Sequence, residues 1–269
     1  MSNERFFTGF EGAELYMKTN IIENPKAAVL IVHGLCEHQG RYDYVTEKLN
    51  DAGYSVYRFD HRGHGRSKGK DVFYSDFNEI LEDTNEAFKI VERENPSTPK
   101  FILGHSMGGF ATTLFATKYP GRAAGILLSS ALTRYNLQLM GPLPMEGDPG
   151  TYFPNSLGDG VCSDPAIVEA YLNDPYVKKE ISISLCNSLG TGVSWLKENA
   201  KCLSDPILIM HGADDGLVSE KDSRDLFSEI ASTDKGLLIF PKLFHEILNE
   251  PSKDDVISHI VKWIKRRIE

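Results

Sequence analysis

The sequence predicts an α/β fold, with a mostly parallel central sheet flanked by helices and an inserted helical cap. Three observations carry this. Short apolar runs alternate with segments of helical periodicity, the pattern of strands joined by crossover helices. The strand-like runs are apolar at successive positions, as strands covered on both faces must be. The rhythm stops near Thr133 and resumes after Ala200. The chain therefore divides into a first core part (1–132), a cap insertion (133–200) and a second core part (201–269).

The elements follow in order. "AAVLIVHG" (27–34) is a continuous apolar run ending in glycine, a buried strand. "RYDYVTEKLNDAG" spaces Tyr42, Val45 and Leu49 as a helix does and stops at Gly53. "YSVYRFD" is the next strand. "SDFNEILEDTNEAFKIVEREN" is an acidic amphipathic helix striped by Phe77, Ile80, Leu81, Ala87, Phe88 and Val91. "KFILGH" is a strand, "MGGFATTLFATKYP" a helix stopped by Pro120, and "AGILLSS" a strand. In the insertion, "PAIVEAYLNDP" and "ISISLCNSLGTGVSWLKENAK" read as short helices behind a Gly- and Pro-rich stretch. "DPILIMHG" resumes the strands. "SEKDSRDLFSEIAS" is a helix with Ser219 as N-cap and Asp222 completing a capping box. "KGLLIFPK" is a strand, and "SKDDVISHIVKWIKRRI" a closing helix whose terminal basic residues suit the helix dipole.

Composition narrows the function. A net charge of -9 opposes a nucleic-acid partner, because phosphate binding needs a basic surface. No apolar stretch reaches signal-peptide or membrane-span length, so a cytoplasmic location is expected. Cys36, Cys162, Cys186 and Cys202 form no CxxC pair and no metal-ligand spacing, and read as free thiols. With no HExxH or similar ligand set, no metal and no cofactor are expected. Oligomeric state is not legible.

Ser106 stands in Gly104-His105-Ser106-Met107-Gly108, between a strand and a helix. That is the setting of a nucleophile elbow, a sharp turn whose neighbours must lack side chains where strand meets helix. A serine nucleophile needs a base and an orienting acid, here in the chain order Ser, Asp, His. "HGADDGLV" offers Asp214 and Asp215 after one strand, and "FPKLFHE" offers His245 after another. Loops beyond the carboxyl ends of parallel strands are where such sheets carry their sites. Asp-Asp-Gly is by itself a turn signal, and one loop histidine is by itself a surface residue. Their joint occurrence in order points to a triad of Ser106, Asp215 and His245. The spacing His-Gly-x-x-Asp-x-x-Val favours Asp215, with Asp214 as a turn former.

Gly34 lets the chain turn after the first strand, so the amides of Leu35 and Met107 can form a two-donor oxyanion hole. The remaining histidines read otherwise. His33 is structural or shapes the oxyanion loop. His61 and His64 lie in a Gly-rich turn, His105 sits inside the elbow, His211 lies just before the acid loop, and His259 lies on the last helix.

Together, "HGLCEHQGRY", "FDHRGHGRS", "YSDF", "GHSMGG" and "HGADDGLV" resemble the monoacylglycerol lipase and lysophospholipase group of α/β-hydrolases. The resemblance implies the α/β-hydrolase fold, the same triad and the same oxyanion amides. It further implies that Glu37 and Arg41 shape the polar end of the pocket, where glycerol binds in monoacylglycerol lipases. The alternative for that pair is a loop ion pair. Two positions depart from the group. Cys36 stands where a glycine is common, and Leu248 lies near where some relatives place a second glycerol-contacting histidine.

The expected activity is cofactor-free hydrolysis of carboxylic esters through an acyl-enzyme, on monoacylglycerol or lysophospholipid-type single-chain lipids. Apolar residues of the insertion (Leu137, Leu139, Met140, Leu143, Met145, Tyr152, Phe153) would line an acyl tunnel, touch a membrane or micelle surface, or simply form the cap core. The alternatives are a short-chain carboxylesterase with a small capped pocket and a non-catalytic ligand-binding receptor on the same fold.

Overall fold

The computed structural model describes residues 2–269. Its strands are β1 (Ser2–Thr8), β2 (Glu14–Asn20), β3 (Ala27–Val32), β4 (Tyr54–Phe59), β5 (Lys100–His105), β6 (Gly125–Ser129), β7 (Tyr152–Pro154), β8 (Glu180–Ser182), β9 (Ile207–Gly212) and β10 (Lys235–Phe240). Its α-helices are α1 (Asp43–Asp51), α2 (Phe77–Glu94), α3 (Met107–Lys118), α4 (Pro165–Asn173), α5 (Ile183–Asn199), α6 (Glu220–Glu229) and α7 (Lys253–Ile268).

Eight strands form one sheet in the order β1-β2-β4-β3-β5-β6-β9-β10. From β4 to β10 every neighbouring pair is parallel, while β1–β2 and β2–β4 are antiparallel. The run "AAVLIV" shows why the central strands are apolar at every position. Val29 and Ile31 pack into one core with Leu49 of α1 and Ile257 of α7. Leu30 and Val32 pack into the other with Phe88 of α2, Phe110 of α3 and Leu226 of α6. Alternate residues of one strand thus serve two cores.

Four features differ from the sequence expectation. The antiparallel pair β1–β2 was not foreseen, because β1 ("SNERFFT") is a mostly exposed edge strand with little apolar signal. The insertion holds a two-stranded sheet, β7–β8, whose strands of three residues each are too short to show a period. The second insertion helix is not short. It runs 17 residues, with the Ser182 side chain capping the amide of Leu185. Gly192 within it allows close packing: a Cβ would lie 2.4 Å from the Phe110 ring. Finally, the capping box at α6 does not form. Ser219 accepts from Lys221, while Asp222 turns inward and accepts the amides of Thr133, Arg134, Tyr135 and Asn136.

Candidate active site

Ser106 joins β5 to α3 with φ 53° and ψ −118°, a backbone state that side chains rarely occupy. Its surroundings hold it there. The Ser106 amide donates to Ser129 O, and its carbonyl accepts from Phe110 and Leu132. The flanking glycines are obligatory. A Cβ at Gly104 would lie 2.4 Å from Gly108 O, and one at Gly108 would lie 2.0 Å from Val32 O. Helix and sheet therefore meet backbone to backbone, and the serine is lifted onto the wall of a cavity.

Asp215 and His245 stand in the loops after β9 and β10. His245 Nδ1 donates to Asp215 Oδ2 at 2.7 Å. The other oxygen of Asp215 accepts the amides of Leu217 and Val218 at 2.8 and 2.9 Å. The Asp215 side chain is fully buried and that of His245 nearly so. Asp214 is exposed. Burial works to raise the Asp215 carboxyl, but the adjacent His245 and the imidazole hydrogen bonds outweigh it and hold it far below the usual carboxylate range. Burial works against a charged His245, and Asp215 outweighs it, so this imidazole is raised above its ordinary value. His245 shares the cavity wall with Ser106. Among the described residues, the Ser106 hydroxyl makes no hydrogen bond.

The oxyanion loop is set by a carboxylate. Glu37 Oε1 takes the amide of Gly34 at 2.6 Å and the Tyr42 hydroxyl at 2.6 Å. Gly34 is thereby committed, whereas the amides of Leu35 and Met107 have no internal partner and border the cavity. Cys36 turns the chain with φ 64°, the conformation that glycine adopts without strain. Its carbonyl accepts from Lys178 of the insertion at 2.8 Å.

Glu37 lies on the cavity wall, but Arg41 does not. Arg41 donates to Glu37 at 2.8 Å and forks onto Glu246 at 2.5 and 2.7 Å, with Tyr171 over its guanidinium. Glu246 escaped the sequence reading, although it follows His245 directly and is a wall residue itself. Leu248 is buried in the core beneath α7 and is not on that wall. His105 stacks on His245 with ring centroids 4.7 Å apart. His33 and His61 brace the oxyanion loop from behind, His33 Nε2 accepting the amide of His61 at 2.9 Å. His259 packs on Phe240, away from the cavity.

The cavity is partly open, and Ser106 and His245 both border it. Most of its wall is apolar, including Leu132, Leu217 and Val218 of the core and Leu139, Leu157 and Leu189 of the insertion. Glu37, His105, Ser106, His245 and Glu246 share this wall, and no Lys or Arg borders it. Among the described residues, no cluster of His, Cys, Asp or Glu is arranged to hold a metal, and no helix is long and apolar enough to cross a membrane.

A serine on an elbow, an Asp–His pair in the loops after later strands and a mostly apolar cavity define an α/β-hydrolase of the serine type. Residues 23–252 match the family described as serine aminopeptidase, S33, and the chain belongs to it. It is 34% identical to the monoacylglycerol lipase of Mycolicibacterium smegmatis, over 97% of this chain and 96% of that protein. It is 32% identical to the monoglyceride lipase of Rattus norvegicus, over 91% of this chain and 84% of that one. Among solved structures, the monoacylglycerol lipase of Paleococcus ferrophilus superimposes with a TM-score of 0.80 at 29% identity, over 94% of this chain and 99% of that one. The protein is a carboxylic ester hydrolase of this superfamily.

Proposed function

We propose that the protein hydrolyses long-chain monoacylglycerols with Ser106 as nucleophile, His245 as base and Asp215 as orienting acid. The observation that carries this is the His245–Asp215 hydrogen bond at 2.7 Å on the same cavity as the elbow serine. Ser106 Oγ adds to the ester carbonyl while His245 takes its proton. The oxyanion is held by the amides of Leu35 and Met107. His245 then gives the proton to the departing alcohol, leaving an acyl-enzyme. A water deprotonated by His245 attacks that acyl group, and the fatty acid leaves as Ser106 recovers its proton.

The cavity supports the substrate class. Its mostly apolar wall suits an acyl chain, and Glu37 and Glu246 on the same wall offer acceptors for glycerol hydroxyls. Arg41 acts by holding these two carboxylates rather than by touching substrate. No cation borders the cavity to receive a phosphate, which favours monoacylglycerol over lysophospholipid. Leu137 and Leu139 are each 45% exposed on the insertion and would meet a membrane or micelle surface as substrate enters. The four free cysteines suit a reducing, cytoplasmic setting.

The test compares monoacylglycerols and p-nitrophenyl esters of varied chain length by kcat/KM, beside Ser106→Ala and fluorophosphonate labelling. A long-chain preference, labelling at Ser106 alone and loss of several orders of magnitude in Ser106→Ala are expected. A maximum at acetate or butyrate would move the reading to a short-chain esterase. Turnover surviving in Ser106→Ala would remove the nucleophile assignment.

A further inference from the structure

Asp215 Oδ2 is approached by two imidazoles. His245 Nδ1 lies 2.7 Å from it and His211 Nε2 lies 3.0 Å from it. His211 is the last residue but one of β9, and its side chain is fully buried. Its Nε2 also lies 3.0 Å from the carbonyl of Val218, the residue whose amide donates to Asp215 Oδ1. A nitrogen facing two acceptors must carry a proton; that proton is aligned on the Val218 carbonyl, and Asp215 Oδ2 lies close beside it. In the neutral ring the other nitrogen is then an acceptor, and the Ser223 hydroxyl on α6 donates to it at 2.7 Å. A chain of contacts thus runs from Ser223 through His211 and Asp215 to His245.

We infer that His211 is a positioning residue for the acid: its Nε2–H, held on the Val218 carbonyl, lies against Asp215 Oδ2 and draws electrostatically on the same oxygen that His245 uses. The inference rests on the Ser106–Asp215–His245 reading. Two consequences follow. Without His211, Asp215 keeps its two amides on one oxygen but can rotate the other away from His245. Where it stays in place, its charge falls more fully on His245 and holds that imidazole protonated to higher pH. The other groups facing this pair are His105, stacked on His245, and Glu246 and Glu37, both partnered by Arg41. Asp222, beside Ser223, directs its carboxylate to the amides of 133–136 instead.

Substitutions separate this role from packing. The amide nitrogen of Gln reaches about as far as His Nε2, and that of Asn only as far as Nδ1. His211→Gln should therefore retain the donor beside Asp215, and His211→Asn should lose it. In His211→Asn, kcat should fall by about 10- to 100-fold, and the acidic limb of kcat/KM should move to higher pH by about one unit. His211→Gln should stay within a few-fold of wild type with an unmoved limb. Ser223→Ala frees the tautomer without enlarging the site and should move the limb the same way by a smaller step. This variant keeps the test open if His211→Asn does not fold. Equal impairment of the Gln and Asn variants, or an unmoved limb in both Asn and Ser223→Ala, would overturn the proposal. Asp215→Asn, measured alongside, should lose about 10⁴-fold in kcat. Retained activity there would show that the acid assignment had failed, not only the role of His211.

Discussion

Arg41 and Glu246 meet fork to fork at 2.5 and 2.7 Å, from segments 205 residues apart. The pair joins the segment after β3 to the loop after β10. Arg41 also holds Glu37, which holds the amide of Gly34 in the oxyanion loop, while Glu246 is covalently next to His245. The oxyanion loop and the base loop are therefore parts of one buried ionic cluster.

The first prediction follows from the charge balance, two carboxylates against one guanidinium, with all three side chains no more than 9% exposed. Removing the cation leaves two anions in a site that excludes water. Arg41→Met should lower unfolding stability by about 3 to 5 kcal/mol. Arg41→Lys should also lose stability, because an ammonium cannot make the fork. Arg41→Met with Glu246→Met should recover much of the loss. Urea unfolding measures all three. A double variant no more stable than Arg41→Met would show that the carboxylate repulsion is not what Arg41 relieves.

This cluster marks the boundary of what the sequence made legible. The positions of Ser106, Asp215 and His245, the proposed triad, are legible because each follows its own apolar run, and the loops after parallel strands gather at one edge of the sheet. Glu37 and Arg41 came from the resemblance, and the structure gives them different positions, one on the wall and one behind it. Glu246 was not readable, because nothing local says that an acid beside a histidine will meet an arginine 205 residues away. His211 had a legible position at a strand end, but its contact depends on how the next turn folds back. The missed elements have the same kind of cause. β1 is held by pairing with β2 rather than by burial, and Asp222 sits at a helix start yet serves the insertion.

The second prediction concerns acid. His61, His64 and His105 are completely buried, and burial lowers them to about 3, 4 and 3. His33 is lowered in the same way. Their folded values lie below the unfolded one of about 6.5. The unfolded chain therefore binds protons that the folded one refuses, and stability falls as pH drops from about 6.5 toward 4. Each such histidine removes about 1.4 kcal/mol per pH unit across that window. His245 acts oppositely, because its folded value is raised. Urea midpoints at pH 7 and pH 5 should differ strongly, and less so in His64→Asn, which can keep a donor to Arg62 O while losing the titration. Equal midpoints at the two pH values would refute this.

The third prediction tests the anchor of the insertion. The buried Asp222 carboxylate accepts four successive backbone amides, at 2.8 to 3.0 Å, where the insertion leaves β6. Asp222→Asn replaces one acceptor oxygen by a donor facing those amides. A loss of about 2 to 4 kcal/mol is expected, on the scale of a buried charged acceptor removed from its donors. Faster amide exchange should be confined to the start of the insertion, with α7 unaffected at first. Uniform acceleration across the protein would instead mean that Asp222 supports the whole fold.

The fourth prediction concerns chain-length selection. Leu139 and Leu157, both from the insertion, border the cavity, whereas Leu143 packs toward Gly190 and is not on the wall. A long acyl chain leaving Ser106 must run along these leucines, and an acetyl group is too short to reach them. Replacing Leu139 and Leu157 with serine removes apolar contact made only by long chains, worth a fraction each of the about 1 to 3 kcal/mol of a fully buried side chain, since both are partly exposed. The kcat/KM for long-chain esters should therefore fall by about tenfold or more, while that for acetate esters holds. Leu143→Ser serves as the control, since it should reduce stability without changing the ratio between long and short esters. If long-chain and acetate esters lose activity equally in the Leu139 and Leu157 variants, the insertion contributes packing alone and does not select the chain.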